Sequence, residues 1–156
     1  MKKIFILGLT AIMLASCGGS KKEKNANNTQ QETTVEDNTY TKSLDYKTFV
    51  KKVWDIERYP DSFAYQDKLP CIIDFYADWC GPCKMLAPVL ETVSDKFAGK
   101  VDIYKVNVDQ EEELASLFNV RSIPTLVFIP MNGELKIAQG AVGQPQLEEA
   151  INRLLL

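Results

Sequence analysis

Cysteine is the residue type in this chain that can support covalent chemistry, and it occurs four times, as Cys17, Cys71, Cys80 and Cys83. The 156-residue sequence contains no histidine. Histidine is the most frequent general base and a frequent metal ligand. Its absence excludes Ser-His-Asp and Cys-His hydrolase mechanisms and any metal site built on imidazole. The chemistry of this chain therefore depends on where its thiols lie.

Two residues separate Cys80 from Cys83, at a point where a predicted strand meets a predicted helix. Residues 71–76 are apolar on both faces, which is typical of a central buried strand, and 81–97 are predicted to be helical. A sulfur at the helix start would face unpaired N–H groups and the positive end of the helix dipole, which favour the nucleophilic thiolate. Cys83 lies on the same helical face, and Pro82 costs little in the first turn. The two thiols can therefore form and break a disulfide with little backbone movement.

Three other interpretations of this pair stay open from the spacing alone. A structural disulfide is one, although bridges that stabilise a fold usually close longer loops. A zinc half-site is another, although the sequence has no second Cys-x-x-Cys pair and no histidine to complete four ligands. Coincidental spacing is the third. The residues around the pair are needed to decide among them.

The sequence between and beyond the cysteines predicts one α/β domain. Strands are predicted over 40–44, 71–76, 101–106, 125–129 and 134–139, and helices over 46–54, 81–97, 111–118 and 146–155. Pro88 should kink the second helix, and Asn132-Gly133 should form the turn between the last two strands. Alternation of strands and helices favours an α/β sandwich. The formal net charge of -3, with both signs mixed, gives no basic footprint for nucleic acid.

The N-terminus predicts a lipoprotein signal peptide over residues 1–16. Two lysines precede an apolar run over 4–15, which is shorter than the roughly 20 residues that a helix needs to span a bilayer. The run ends in the letters LASC at 14–17, which resemble the lipobox of bacterial lipoproteins. In that motif the chain is cut before the cysteine, and the cysteine is lipidated. Cys17 is therefore predicted to be a lipid anchor and not a redox thiol.

Residues 17–38 are predicted to be the lipidated cysteine and a flexible polar tether. Their composition is dominated by Gly, Ser, Lys, Glu, Asn, Thr and Gln, and too few apolar side chains are present to offset the entropy of ordering. About twenty such residues reach on the order of 25 Å. The alternative is that this segment folds onto the domain, which we expect to occupy 39–156.

Three stretches carry a family resemblance: IDFYADWCGPCKM at 73–85, VNVD at 106–109 and IPT at 123–125. They resemble the thioredoxin family over about 69–155, and with the N-terminus they indicate a periplasmic-type member carried as a bacterial lipoprotein. The resemblance implies the thioredoxin fold, an α/β architecture in which a central mixed β-sheet is flanked by helices on both faces. It also implies a protein-disulfide reductase that is monomeric and uses no cofactor and no metal.

The catalytic residues follow partly from the chain itself and partly from this resemblance. Asp74 is a lone carboxylate in an apolar strand, so burial should raise its pKa and suit it to accept a proton near neutral pH. The alternative is that Asp74 is only a tolerated polar residue. The resemblance implies that Cys80 is the nucleophile and Cys83 the resolving thiol. It places Asp74 beneath Cys83 as a proton relay acting through water, with Lys105 as its charge partner.

The resemblance also implies how a substrate is bound. Pro124 would be the family's cis proline, and Ile123 before it would offer backbone hydrogen bonds to a substrate peptide. Trp79 would shield the site, and Gly140 would leave room for the bound chain. The expected substrate-binding residues are Trp79, Gly81, Pro82, Ile123, Pro124 and Gly140.

Cys71 is the remaining thiol, and it begins the predicted buried strand. A free cysteine in such a place is usually a small buried hydrophobe. We favour this interpretation over a regulatory redox role.

The dipeptide between the paired cysteines favours reduction as the direction of the reaction. Gly81-Pro82 is the pair found in reducing members of the family, whereas strong oxidants typically carry a histidine before the second cysteine. A disulfide oxidase or isomerase is the alternative, followed by a peptide-binding module without catalysis. The expected partners are oxidised protein substrates, a membrane thiol electron carrier as reductant and the membrane itself through the anchor. The expected location is periplasmic or otherwise extracytoplasmic, and no nucleic acid is expected to bind.

Overall fold

The structure is a computed structural model that describes residues 41–132 and 134–156. The predicted signal peptide, the predicted anchor Cys17 and the predicted tether lie outside these residues, and so does Gly133 of the predicted turn. Among the helices that the structure describes, none combines the length and the apolar character needed to cross a membrane.

Strands and helices alternate along the described chain up to a final pair of strands. The strands are β1 (Lys42–Ser43), β2 (Cys71–Tyr76), β3 (Asp102–Asn107), β4 (Thr125–Ile129) and β5 (Lys136–Gln139). The helices are α1 (Tyr46–Lys52), α2 (Gly81–Lys96), α3 (Glu112–Leu117) and α4 (Gln144–Leu154). The order of the elements is the one that the sequence predicts.

All these strands form one sheet in the order β1-β3-β2-β4-β5. Strands β1, β3 and β2 are parallel, whereas β4 is antiparallel to β2 and β5 is antiparallel to β4. Strand β2 thus lies at the centre, with a paired neighbour on each side. The mixed sheet, with helices on both faces, confirms the predicted fold class.

One face of the sheet packs against α1 and α3. The side chains of Cys71, Ile73 and Phe75 in β2 lie in the same core as Phe49 of α1 and Leu114 of α3. These β2 residues are two apart because successive side chains of a strand point to opposite faces. Every second residue of β2 is therefore committed to this core.

The opposite face packs against α2 and α4. Ile72 of β2 lies in a second core with Leu90 of α2 and Ile151 of α4. Asp74 is on the same face as Ile72 because it follows two residues later. The sheet thus directs a buried carboxyl group towards α2, the helix that begins at the paired cysteines.

The bounds follow the sequence pattern most closely where a strand is buried: β2 and β4 begin and end as predicted. Helix α4 begins at Gln144 and not at 146, because Pro145 fits the first helical turn, where its missing N–H is not needed. Strand β1 is shorter than predicted because Asp45 starts a helix soon after it. The carboxylate of Asp45 accepts the backbone N–H of Thr48 at 2.7 Å and so caps α1.

Helix α2 remains one element on both sides of Pro88. An interior proline lacks the N–H that would continue the helical hydrogen-bond pattern, which is why the sequence predicts a kink there. The hydroxyl group of Thr92 donates to the Pro88 carbonyl oxygen at 2.9 Å, one turn further along. The cysteines at the start of α2 and the apolar residues after Pro88 therefore belong to a single helix.

Candidate active site

Cys80 is the residue at which the chain passes from β2 into α2. It is the N-cap of α2, with an extended backbone at φ -79° and ψ 110°. Its Sγ accepts a hydrogen bond from the backbone N–H of Cys83 at 3.2 Å, and its own N–H donates to the carbonyl of Ala77 at 3.1 Å. The sulfur thus lies where helix N–H groups and the positive end of the dipole stabilise a negative charge.

Cys80 and Cys83 are joined by a disulfide, with their Cα atoms 5.3 Å apart. Each residue is only 4% exposed, and the pair belongs to a small apolar cluster against which Ile123 packs. Gly81 and Pro82 are exposed on the helix start, and a Cβ atom on Gly81 would meet nothing within 4 Å. Within the described residues, this side of the disulfide is open.

This geometry bears on the alternatives that the spacing leaves open. The bridge joins residues at a sequence separation of 3, so the loop that it closes is too short for a large entropic stabilisation. In the described part of the chain, no group of three or more cysteine or carboxylate side chains is arranged to hold a metal ion. The short loop favours a redox pair over a structural bridge, and in this structure the two sulfur atoms are bonded to each other.

The loop before β4 lies against the cysteine pair. The Ile123–Pro124 peptide bond is cis, as the resemblance implies. Gly140, after β5, donates its N–H to the Pro124 carbonyl at 2.8 Å. Its φ of +89° favours glycine, whereas a Cβ atom would meet nothing within 4 Å, so backbone conformation and not crowding requires glycine here. The structure brings Ile123, Pro124 and Gly140 to the site, and their role in binding a substrate chain stays a prediction.

Trp79 stands beside the disulfide and is 70% exposed. Its indole Nε1 donates to Oδ2 of Asp109 at 2.8 Å, so a carboxylate from the segment after β3 orients the ring. The ring forms one wall of a cavity of about 400 Å³, which we call the tryptophan cavity. The other residues that line it are Val108, Ala115, Val120, Arg121, Ser122 and Ile123.

Asp74 is the buried acidic group of the site. It is 2% exposed, and its Oδ1 has no hydrogen-bond partner within the described residues. Burial raises the pKa of the carboxyl group to about 7, and the positive charge of Lys105 opposes part of that rise. The direction is the one that an apolar strand predicts. A carboxyl group with this pKa exchanges its proton near neutral pH.

Lys105 faces Asp74 in the parallel register of β2 and β3. No ion pair joins the two side chains in the part of the chain that the structure describes. The Nζ atom of Lys105 lies instead 5.1 Å from the centroid of the Tyr76 ring, a distance at which the ring attracts a cation. Lys105 therefore acts on Asp74 through space and not by contact.

A second cavity, of about 380 Å³, brings Asp74 and Cys83 together because both line it. We call it the aspartate cavity. Its other lining residues are Tyr76, Ala77, Asp78, Lys84, Ala87 and Lys105. A cavity of this size with carboxylate and ammonium groups in its lining has room and polar partners for water. The geometry therefore permits the water-mediated route that the resemblance implies, and the relay role of Asp74 stays a prediction.

Asn107 and Asp109 belong to the VNVD stretch at 106–109, which carries the resemblance but gives neither residue a role, and the structure brings both to the site. The Nδ2 atom of Asn107 donates to Oδ2 of Asp78 at 3.3 Å, and its Oδ1 accepts the N–H of Asp109 at 3.0 Å. Asp109 in turn holds Trp79. Because β2 and β3 are parallel neighbours, the residues that follow them meet at one edge of the sheet. That rule is the signal by which these two residues could have been found.

Cys71 lies at the opposite end of β2 from the disulfide. It is free and fully buried, and burial raises the pKa of its thiol to about 12, while a hydrogen bond with Tyr65 opposes the rise. The first and last Cα atoms of a six-residue strand are about 16 Å apart. This environment fits the small buried hydrophobe that the sequence favours.

Comparison with known proteins places this site in a family context. The family model described as Thioredoxin matches residues 55–153. The match begins before residue 69, where the sequence resemblance starts, so the segment between α1 and β2 also belongs to the family domain. This corrects the narrower limit given by the motifs alone, because the segment carries no short motif of its own.

Individual relatives agree with the family match. The chain is 41% identical over 109 residues to a thioredoxin of Borreliella burgdorferi, an alignment that covers 70% of this chain and 92% of the relative. It is 47% identical over 94 residues to a thioredoxin of Haemophilus influenzae, covering 60% and 87%. The crystal structure of a thioredoxin from Malassezia sympodialis is similar at 32% identity with a TM-score of 0.59, covering 74% and 91%.

Proposed function

The chain belongs to the thioredoxin family and is a thiol–disulfide oxidoreductase, and from this premise we propose that it reduces the disulfides of client proteins outside the cytoplasm. The observation that carries the proposal is Cys80 at the N-cap of α2, bonded to Cys83 across Gly81-Pro82. The helix N-terminus supports a thiolate at Cys80, and the absence of histidine leaves no group of the kind that strong oxidants use.

Reduction proceeds in two exchange steps that balance in electrons and protons. The Cys80 thiolate attacks one sulfur of the client disulfide, which forms a mixed disulfide and releases the first client thiolate. Cys83 then loses its proton and attacks Sγ of Cys80, which releases the second client thiolate. The client has gained two electrons and two protons, directly or through solvent, and the protein is left with the Cys80–Cys83 disulfide.

Asp74 is the group that we assign to take the proton of Cys83 in the second step. Its pKa of about 7 means that a useful fraction of the carboxyl group is ionised near neutral pH. The aspartate cavity is lined by both residues and gives water a place between them. Lys105 increases the ionised fraction because its charge lowers the carboxyl pKa.

A membrane thiol electron carrier would return two electrons to the Cys80–Cys83 disulfide by the same exchange in reverse. The support for an extracytoplasmic membrane location is the N-terminal sequence, with its short apolar run over 4–15 and the LASC motif at 14–17. In this proposal Cys17 carries the lipid, residues 17–38 form the tether, and the oxidoreductase domain occupies 39–156.

The reduction potential of the Cys80–Cys83 pair tests the direction of the reaction. The pair would be equilibrated with thiol–disulfide buffers, and its free thiols would be counted at each potential. Thioredoxin itself has a potential of about −270 mV and a strong disulfide oxidant about −120 mV, a gap of roughly 7 kcal/mol. We expect a value near the first. A value near the second would contradict a reductase and favour an oxidase.

The anchor needs a separate test because it is independent of the redox chemistry. Cells that produce the full chain would be labelled with a radioactive fatty acid, beside the Cys17→Ser variant and the matched control Cys71→Ser. We expect label in the wild type and in the control but not in Cys17→Ser. An unlabelled wild-type chain would contradict lipidation.

A further inference from the structure

The tryptophan cavity is apolar or uncharged along all of its lining except at one residue, Arg121. Arg121 is exposed and lies two residues before Ile123, which packs against the cluster formed by the paired cysteines. Trp79, on another wall, directly precedes Cys80 in the sequence. A side chain of a client that enters this cavity beside the disulfide therefore comes close to a single cation.

The side chain of Arg121 is oriented by Asn119. Asn119 has a φ of 51°, a left-handed conformation that asparagine tolerates better than most residues. Its Oδ1 accepts a hydrogen bond from Nε of Arg121 at 3.3 Å. Arg121 forms no other hydrogen bond and no ion pair with the residues that the structure describes. Its two terminal Nη groups therefore keep their donors available for a ligand.

Within the described residues, no acidic group near this cavity forms an ion pair with Arg121. Asp109 accepts the indole N–H of Trp79. Glu112 and Glu113 are in the first turn of α3, where both are exposed, and neither lines the cavity. The lining of the cavity thus has a positive edge on the loop before β4, and the negative charges at the start of α3 lie outside that lining.

We propose that Arg121 is a specificity-determining residue, which favours client disulfides that carry an aspartate or glutamate beside the attacked cysteine. This inference rests on the proposed reductase function and adds a class of substrate to it. The planar guanidinium group can bind a carboxylate through two parallel hydrogen bonds. The apolar wall beside it strengthens such a pair, whereas a basic client residue in the same place meets a like charge.

The expected discrimination is modest because Arg121 is exposed. Exposed ion pairs contribute little, so we expect an acidic neighbour to raise kcat/KM about threefold over a neutral one. The preference should appear mainly in KM, because the pair forms when the client binds and does not take part in the exchange of sulfur atoms. It should also shrink as salt screens the two charges.

Three peptide disulfides that differ only in the residue next to the cysteine, Asp, Asn or Lys, test the inference. The full-length reduced protein, kept in a non-ionic detergent, would be assayed with each peptide at low and high salt to give kcat and KM separately. The variants are Arg121→Ala and Arg121→Lys. The matched control is Arg153→Ala, which removes an exposed arginine that lines a different cavity.

The wild type and Arg153→Ala should reduce the Asp peptide fastest and the Lys peptide slowest, with a smaller spread at high salt. In Arg121→Ala the rates for the three peptides should converge. Arg121→Lys should keep part of the difference between them, because lysine keeps the positive charge but cannot form the two parallel hydrogen bonds of a guanidinium group. Equal kcat/KM values for the three peptides in the wild type would overturn the inference, as would a uniform loss on all three in Arg121→Ala. If the wild type reduces none of them, the reductase function fails, and the inference fails with it.

Discussion

Cys71 and Cys80 are almost equally buried, at 0% and 4% exposure, yet the groups around the two sulfur atoms differ. Cys71 begins β2 among side chains of the core under α1 and α3, where burial raises its pKa to about 12. Cys80 caps α2, and its Sγ accepts the backbone N–H of Cys83. Burial opposes a thiolate in both places, but only Cys80 has helix N–H groups to compensate. We therefore expect the orientation of backbone dipoles around the sulfur, and not its exposure, to make Cys80 reactive and to leave Cys71 inert.

The largest expected effect is that of Cys80→Ser, because it removes the proposed nucleophile, whose sulfur lies at the start of α2. We expect reduction of a protein disulfide to fall to the uncatalysed rate. The measurement is the rate of client thiol release, with Cys71→Ser as a control that should keep wild-type activity. Substantial activity in the Cys80→Ser variant would show that Cys80 is not the nucleophile.

Cys83→Ser should behave differently, since Cys80 can still attack but the mixed disulfide cannot be resolved. We expect this variant to accumulate covalent client adducts, seen as bands that disappear when a reductant is added. Equal trapping by Cys80→Ser would reverse the roles assigned to the two cysteines.

Asp74→Asn should have the next largest effect on rate. Asparagine keeps the size and hydrogen-bonding capacity of the side chain but cannot accept the proton of Cys83. We expect several-fold slower resolution of the mixed disulfide near neutral pH, where the carboxyl group with a pKa of about 7 is partly ionised. Stopped-flow reduction of a disulfide substrate across pH gives this rate. A wild-type rate at every pH would show that Asp74 is structural.

The same variant should be equally or more stable than the wild type, in a pH-dependent way. The pKa of Asp74 is about 7 in the folded protein against an ordinary value of 3.8, so the folded state holds the proton more tightly than the unfolded chain. The free energy of unfolding is therefore highest below about pH 4 and falls as the pH rises to about 7. Asparagine avoids this loss, which could reach about 4 kcal/mol. The melting temperatures of the wild type and Asp74→Asn should diverge as the pH rises from 4 to 8. A constant difference between them over this range would show that ionisation of Asp74 does not destabilise the folded protein.

A smaller effect is expected for Lys105→Gln. Removing this cation should raise the pKa of Asp74 further, because Lys105 opposes the effect of burial. The pH dependence of the resolution step should then move to higher pH, with little change in its maximum. Lys84→Gln is the matched control, since Lys84 lines the same cavity but is not among the causes of the Asp74 shift. An equal shift of the pH dependence in both variants would show that Lys105 has no specific effect on the pKa of Asp74.

The smallest effect on activity is expected for Cys71→Ala. The reduction rate should not change, and the free energy of unfolding should fall by about 1 kcal/mol because the substitution leaves a small cavity in the core. Alkylation of the folded, reduced wild type should sharpen the contrast, with Cys80 modified quickly and Cys71 only after unfolding. Modification of Cys71 as fast as Cys80 would show that burial does not protect it.

The sequence predicts well the features that depend on neighbours close along the chain. Strand β2 has the predicted bounds because an apolar run on both faces is typical of a central strand. Cys80 caps α2 as its position after that strand indicates. The raised pKa of Asp74 follows from one acidic residue in the same run. Each of these is decided within a few residues of sequence.

The features that it does not predict depend on residues brought together across the sheet. Asp109 holds Trp79 from thirty positions away, and no local pattern marks that contact. The register places Lys105 opposite Asp74, but the ammonium group of Lys105 lies over the Tyr76 ring. Side-chain packing, which the sequence does not reveal, determines that position. The orientation of Arg121 likewise depends on the left-handed backbone of Asn119, for which the sequence offers only the residue type.

The hydrogen bond from the Gly140 N–H to the Pro124 carbonyl gives the protein a built-in spectroscopic reporter. Amide protons exchange with solvent deuterium only when their hydrogen bonds open, and different parts of a fold open with different free energies. The Gly140 amide is hydrogen-bonded to the loop that lies against the cysteines. Its exchange rate therefore measures how often that loop moves away from the end of β5, the edge strand. Comparing this one rate in the dithiol and disulfide forms would reveal the loop's mobility without altering a single side chain.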